Sequence, residues 1–96
     1  MIHSFACAET ESLFYIKLVR RFKNIEGVAR RKLLQLSATT DLASLRVPPG
    51  NQLEMLKGNR KEKPSIRIDD QWRLCFIWKD DGFYQVEIVD YHYEKT

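Results

Sequence analysis

The stretch "VPPGN" at residues 47–51 divides a chain whose apolar residues obey one period before it and another after it. Paired prolines lack amide donors and Gly50 permits a turn, so regular structure is expected to stop there. Before it, Phe14, Tyr15, Leu18, Val19 and Phe22 recur at helical spacing, predicting a helix from Thr10 to about Phe22. A second helix, from about Asn24 to Ala38, sets Ile25, Val28, Ala29, Leu33 and Leu36 on its buried side. The short "NIEG" break between the two predicts an antiparallel helical hairpin.

After the divide the period falls to two. "LEMLK" reads as a strand, and "SIRID" (65–69) alternates Ile66 and Ile68 against Ser65, Arg67 and Asp69. "WRLCFIW" (72–78) opposes Trp72, Leu74, Phe76 and Trp78 to Arg73, Cys75 and Ile77. "KDDG" (79–82) carries an Asp-Gly hairpin signal, and "FYQVEIVDYH" (83–92) is the closing strand. "MIHSFA" (1–6) looks like a short opening strand. Neither layer can bury its apolar side alone, so the hairpin must cover one sheet face. The expected architecture is α+β: an N-terminal helical hairpin on one face of a mainly antiparallel sheet of four to five strands. The Trp72 face is the natural one to cover, which leaves Arg67 and Arg73 together on an open face.

With 96 residues there is room for one domain, spanning 1–96. The net charge of +3 says less than its distribution. Residues 1–48 hold eight basic side chains against four acidic, and "KGNRKEK" (57–63) packs Lys57, Arg60, Lys61 and Lys63 into one loop. Such clusters suit phosphate contact, although a solvated loop is the plain alternative. Cys7 and Cys75 lack metal-ligand spacing, so no metal or cofactor is expected. "MIHSFACAET" does not read as a signal peptide, no stretch approaches a membrane span, and a cytoplasmic location is the expectation.

Two arginines on one sheet face want an anion, and their planar forks fit a phosphate at two points. His92 is the side chain best suited to move protons near neutral pH, with Asp90 two residues earlier and Tyr91 between them. On a regular strand Asp90 and His92 share one side while Tyr91 joins Arg67 and Arg73 on the other. One pocket for all of them needs a bent strand end. No glycine-flanked nucleophile and no phosphate-binding glycine loop occurs.

The run "LKGNRKEKPSIRIDDQWRLCFIW", followed by "VEIVDYH", resembles the HigB-type toxins of bacterial toxin–antitoxin systems, in the RelE/ParE superfamily. The resemblance covers most of the chain, from "MIHSF" through Leu56-Lys57-Gly58 to Asp90-Tyr91-His92. It implies a RelE-like fold and an endoribonuclease cleaving mRNA in the ribosomal A site. It also implies a HigA-type helix-turn-helix antitoxin as partner, with operator DNA reached only through that antitoxin. Active-site positions carried over are Lys57, Arg73, Asp90, Tyr91 and His92; Arg67 fits the pattern, and its role rests on the sheet-face argument. Glu54 stands where some members have a histidine, and Pro64 where an aromatic is usual. Arg60, Lys61 and Lys63 would touch RNA, as would Arg20, Arg21, Arg30, Arg31 and Lys32 on ribosomal phosphates. Three other readings compete: a ParE-like gyrase poison, a nucleic-acid-binding module without catalysis, and a small α+β domain whose charges are plain surface charges.

Overall fold

The computed structural model describes residues 1–56 and 63–90. Four antiparallel strands form one sheet in sequence order: β1 (Glu54–Leu56), β2 (Lys63–Arg67), β3 (Trp72–Lys79) and β4 (Gly82–Asp90). The opening residues lie parallel to β4 through bridges from Ile2 to Phe83 and from Phe5 to Val86. Helices α1 (Ala8–Phe14) and α2 (Glu26–Ala38) pack on one face, as the α+β reading expected. Among the described residues no helix is long and apolar enough to cross a membrane.

The first helix is shorter than its apolar spacing predicts. It stops at Phe14, Ile16 takes a left-handed φ of 63°, and a 3₁₀ run over Arg20–Ile25 feeds straight into α2. The break therefore falls at Tyr15–Val19, not at "NIEG". Arg30 of α2 supplies the reason. Its Nε donates to the Leu13 carbonyl and its guanidinium to the Lys17 carbonyl, both at 3.2 Å, capping groups that a longer helix would bond itself. Val19 and Phe22 are buried by this route, while Tyr15 and Leu18 are left in solvent.

The core between the layers holds Leu13, Phe22, Leu33, Leu36, Ile66, Leu74, Phe76, Phe83 and Val86. Phe76 meets Phe83 edge-to-face at 5.0 Å, and Phe22 meets Trp72 likewise at 5.5 Å. Trp78 lies at the margin instead of in the core, its indole donating to the Thr40 carbonyl at 2.7 Å. Phe83 and Val86 both point inward although three residues apart. A bulge makes this possible: the β3–β4 register shifts between Cys75 and Ile77, where Gln85 adopts a φ of 51°.

The opposite face is not open at Arg73, contrary to expectation. Arg73 is 3% exposed, and Ser65, Cys75 and Val89 beside it are buried as well. The guanidinium folds across β2 toward Gln52 and Glu54 at the start of β1.

Candidate functional site

Antiparallel register sets Arg67 directly across from Arg73. Cross-strand partners share a face, and like charges there repel, so each arginine needs compensation. Arg73 finds it inside the protein. Nε donates to Ser65 Oγ at 2.8 Å, while one terminal nitrogen donates to the Ser65 carbonyl at 3.1 Å and to the Gln52 carbonyl. The other terminal nitrogen lies 3.8 Å from Glu54 Oε1. Arg67 is 35% exposed along its side chain and pairs with Asp70, whose carboxylate is fully in solvent.

Gln52 can accept from Arg73 because its backbone is left-handed, with φ 45°. The fully buried Asn51 anchors that turn. Its amide donates to the carbonyls of Leu45 (3.0 Å) and Val47 (3.3 Å) and to Gln35 Oε1 (3.1 Å), and its oxygen accepts from Lys32 Nζ. Burial, and the neighbouring charges of Arg31 and Arg67, hold the Lys32 ammonium below the ordinary lysine range. Lys32 thus lies within electrostatic reach of Arg31 and Arg67. The sign of its linkage follows: below its lowered pKa the folded state carries the full penalty. Stability gains from this group as pH rises from that pKa to the unfolded value. Replacing Arg67 by Met is expected to move the Lys32 titration upward, readable by NMR at Nζ. An unmoved titration would separate the two charges.

Asp90 behaves differently. Its register partner is Trp72, on the helix-covered side, and its carboxylate accepts from Gln71 Nε2 at 3.0 Å. Pleating therefore brings Arg67 and Arg73 together and turns Asp90 to the other face, one residue past Val89, the partner of Arg73. The proposed roles of Lys57, Arg60, Lys61, Tyr91 and His92 lie outside the described residues. Lys63 is half-buried at the start of β2.

The helical cations divide. Arg21 pairs with Glu9 at 2.9 Å and lies over the rings of Phe22 and Trp72, and Arg30 pairs with Glu26 at 3.3 Å besides bracing two carbonyls. Both serve the fold. Arg20 and Arg31 are exposed. Sequence reasoning missed Asn51, Gln52 and Ser65 as the frame around Arg73. Only Ser65 carried a signal, sharing the Arg67 side of its strand. Glu54, first noted as a departure from a pattern, is an ion-pair partner of Arg73. No group of three His, Cys, Asp or Glu side chains among the described residues could hold a metal.

Comparison with known proteins places this arrangement in a family. A family model described as the RelE-like toxin of the type II toxin–antitoxin system HigB matches residues 14–92. Toxin HigB-1 of Vibrio cholerae is 47% identical over 57 residues, covering 59% of this chain and 60% of that protein. A protein of Haemophilus influenzae named only as uncharacterized is 36% identical over 58 residues, covering 60% and 57% respectively. The matched stretch spans about three fifths of each relative.

Proposed function

The chain belongs to the HigB-like, RelE-type toxins of type II toxin–antitoxin systems, and from that premise we propose that it is an endoribonuclease cutting ribosome-bound mRNA to stop translation. The observation that carries the reading is the register that sets Arg67 against Arg73, with Lys32 close enough to feel Arg67. A cationic cluster of this kind is stabilised when a phosphate joins it.

The two arginines divide the work. The Asp70 pair of Arg67 is solvent-exposed and contributes little, so a phosphate can displace it. Arg67 then makes the direct contact. Arg73, fixed by Ser65 and Gln52, adds a preorganised field from beneath and shapes the surface around the phosphate. RNA supplies its own nucleophile. The 2′-oxygen attacks phosphorus as a base takes its proton, the P–O5′ bond breaks, and an acid protonates the leaving 5′-oxygen. The products are a 2′,3′-cyclic phosphate and a 5′-hydroxyl. We assign the proton transfers to Asp90 and His92, which requires the strand end to bend so that they reach the phosphate at Arg67 from the Trp72 face, with Lys57 supporting the charge and Tyr91 stacking on a base. Proton transfer contributes about 10²–10⁴ in rate, and stacking about 1–3 kcal/mol.

A small protein of charge +3 binds free RNA weakly at physiological salt, so the ribosome supplies the missing positioning. The partners are mRNA, ribosomal RNA and a HigA-type antitoxin, which alone would contact operator DNA. The test is 5′-end mapping of a defined transcript, translating or naked. New ends on the translating transcript, with naked RNA cut far more slowly, are expected. Arg67→Ala should lower cleavage by roughly 10²-fold and leave the melting temperature almost unchanged. Translation arrest without new 5′ ends would overturn the nuclease reading.

A further inference from the structure

The Tyr15–Val19 connector is the part of the surface that the proposed reaction leaves unexplained. It exposes three large apolar side chains in four residues: Tyr15 (60%), Ile16 (76%) and Leu18 (89%). Exposed apolar residues are ordinary singly, but a cluster of them marks a contact surface. Leu18 stands between two adjoining clefts. One, of about 410 Å³, is lined by Leu18, Val19, Arg20, Lys23 and Glu26. The second runs along Ala8, Glu9, Ser12 and Lys17 and shares Leu18, Val19 and Arg20.

The charge around these clefts has a definite sign. Glu9 is taken by Arg21 and Glu26 by Arg30. Among the described residues, Lys17, Arg20 and Lys23 form no ion pair. An apolar ridge rimmed by uncompensated cations fits a segment that carries apolar residues between carboxylates. The backbone points the same way. Among the described residues, no hydrogen bond engages the Leu18 amide or carbonyl or the Val19 amide. Backbone groups with unused donors and acceptors are suited to a polypeptide laid alongside them. Aliphatic side chains offer little to RNA, and a second copy of this chain would bring the same cations and repel.

We infer that this connector and its clefts are the docking surface for an acidic, apolar-bearing segment of the antitoxin. The inference rests on the toxin reading above. It places the antitoxin on α1 and the 3₁₀ run, away from the Arg67–Arg73 pair, so that inhibition acts by bulk at the ribosome instead of by filling the phosphate site.

The experiment uses the full chain and the purified antitoxin of the same pair, with no RNA present, so that it does not depend on nuclease activity. Leu18→Glu and Lys23→Glu alter exposed side chains outside the proposed reaction site, and thermal melts of both should match wild type. Each is expected to weaken antitoxin binding in calorimetry by about tenfold or more, while arrest of translation by the toxin alone stays unchanged. The Leu18 and Val19 amides should gain protection from hydrogen exchange in the complex. Unchanged antitoxin affinity in both variants overturns the proposal. It falls equally if Leu18→Glu alters only self-association, or if Lys23→Glu alters only ribosome binding. If wild-type toxin binds through this surface yet makes no new RNA ends, the nuclease reading fails and the docking surface stands.

Discussion

Arg73→Ala is expected to lose stability and cleavage together, whereas Arg67→Ala loses cleavage alone. The contrast follows from burial. Removing the Arg73 side chain leaves the Gln52 carbonyl without a donor and takes bonds from both oxygens of Ser65. It also leaves Glu54 without its ion-pair partner. Each buried acceptor left unsatisfied costs about 1–3 kcal/mol. Partial solvation of the Glu54 side lowers the sum, so the expected loss is about 3 kcal/mol. For a domain of this size that lowers the melting temperature by about 12–24 °C. Urea unfolding should show a lower midpoint at unchanged slope. Cleavage should fall by about 10²–10³-fold when measured well below the new melting temperature. Arg73→Lys is the informative companion. It keeps the charge but cannot reproduce the fork that reaches Ser65 and Gln52 at once, so part of the stability and little of the activity should return. A melting temperature unmoved by Arg73→Ala would mean that these hydrogen bonds contribute nothing, and that the side chain is free to engage a ligand directly.

That contrast could not be read from the amino-acid sequence, and the reason is local. Alternation in "SIRID" and "WRLCFIW" places Arg67 and Arg73 on one face, and the structure agrees. Periodicity says which side a side chain leaves the strand, not what it meets there. The frame that buries Arg73 comes from Gln52 and Asn51, in a stretch whose prolines and glycine promised only a turn. The same limit explains the first helix. Leu18 and Val19 satisfied a helical stripe, but Arg30 caps Leu13 and Lys17 from another element, and tertiary contact overrode local spacing. Strands β2 and β3 were legible because each reads as a bounded run of alternating residues, and β4 because the Asp-Gly turn precedes it. The exception is the bulge at Gln85, where a non-glycine residue takes a positive φ with no sequence signal. The convergence of Arg67 and Arg73 with the Asp90-Tyr91-His92 segment remains a proposal. Asp90 is the described member of that trio, and it faces the Trp72 side.

Gly82→Ala should produce the other large effect, and it tests how the opening residues are held. The Asp-Gly signal in "KDDG" predicts a hairpin, and a hairpin alone asks only for a permissive backbone. Here the position does more. Gly82 has a φ of 139°, and a methyl group built on it would lie 2.5 Å from the Met1 carbonyl oxygen and 3.0 Å from the His3 ring. The backbone oxygen cannot retreat without breaking its bond to the Phe83 amide at 2.8 Å. The next rungs, from His3 to Phe83 and between Ser4, Ala6 and Val86, depend on the same alignment. His3 is held there by stacking on Tyr84 at 4.8 Å and by its bond to the Asp81 carbonyl at 2.7 Å. Backbone strain costs about 1–3 kcal/mol, and displacement of the opening residues adds to it, for a total of about 3 kcal/mol. Gly50→Ala is the control, since nothing lies within 4 Å of its added methyl and its φ is not in the left-handed range. It should leave stability nearly unchanged or raise it slightly. In Gly82→Ala the His3 and Ala6 amides should exchange much faster while β2 and β3 keep their protection. Equal melting temperatures for the two variants would mean that the opening residues are not clamped at this corner, and that the sheet ends at β4.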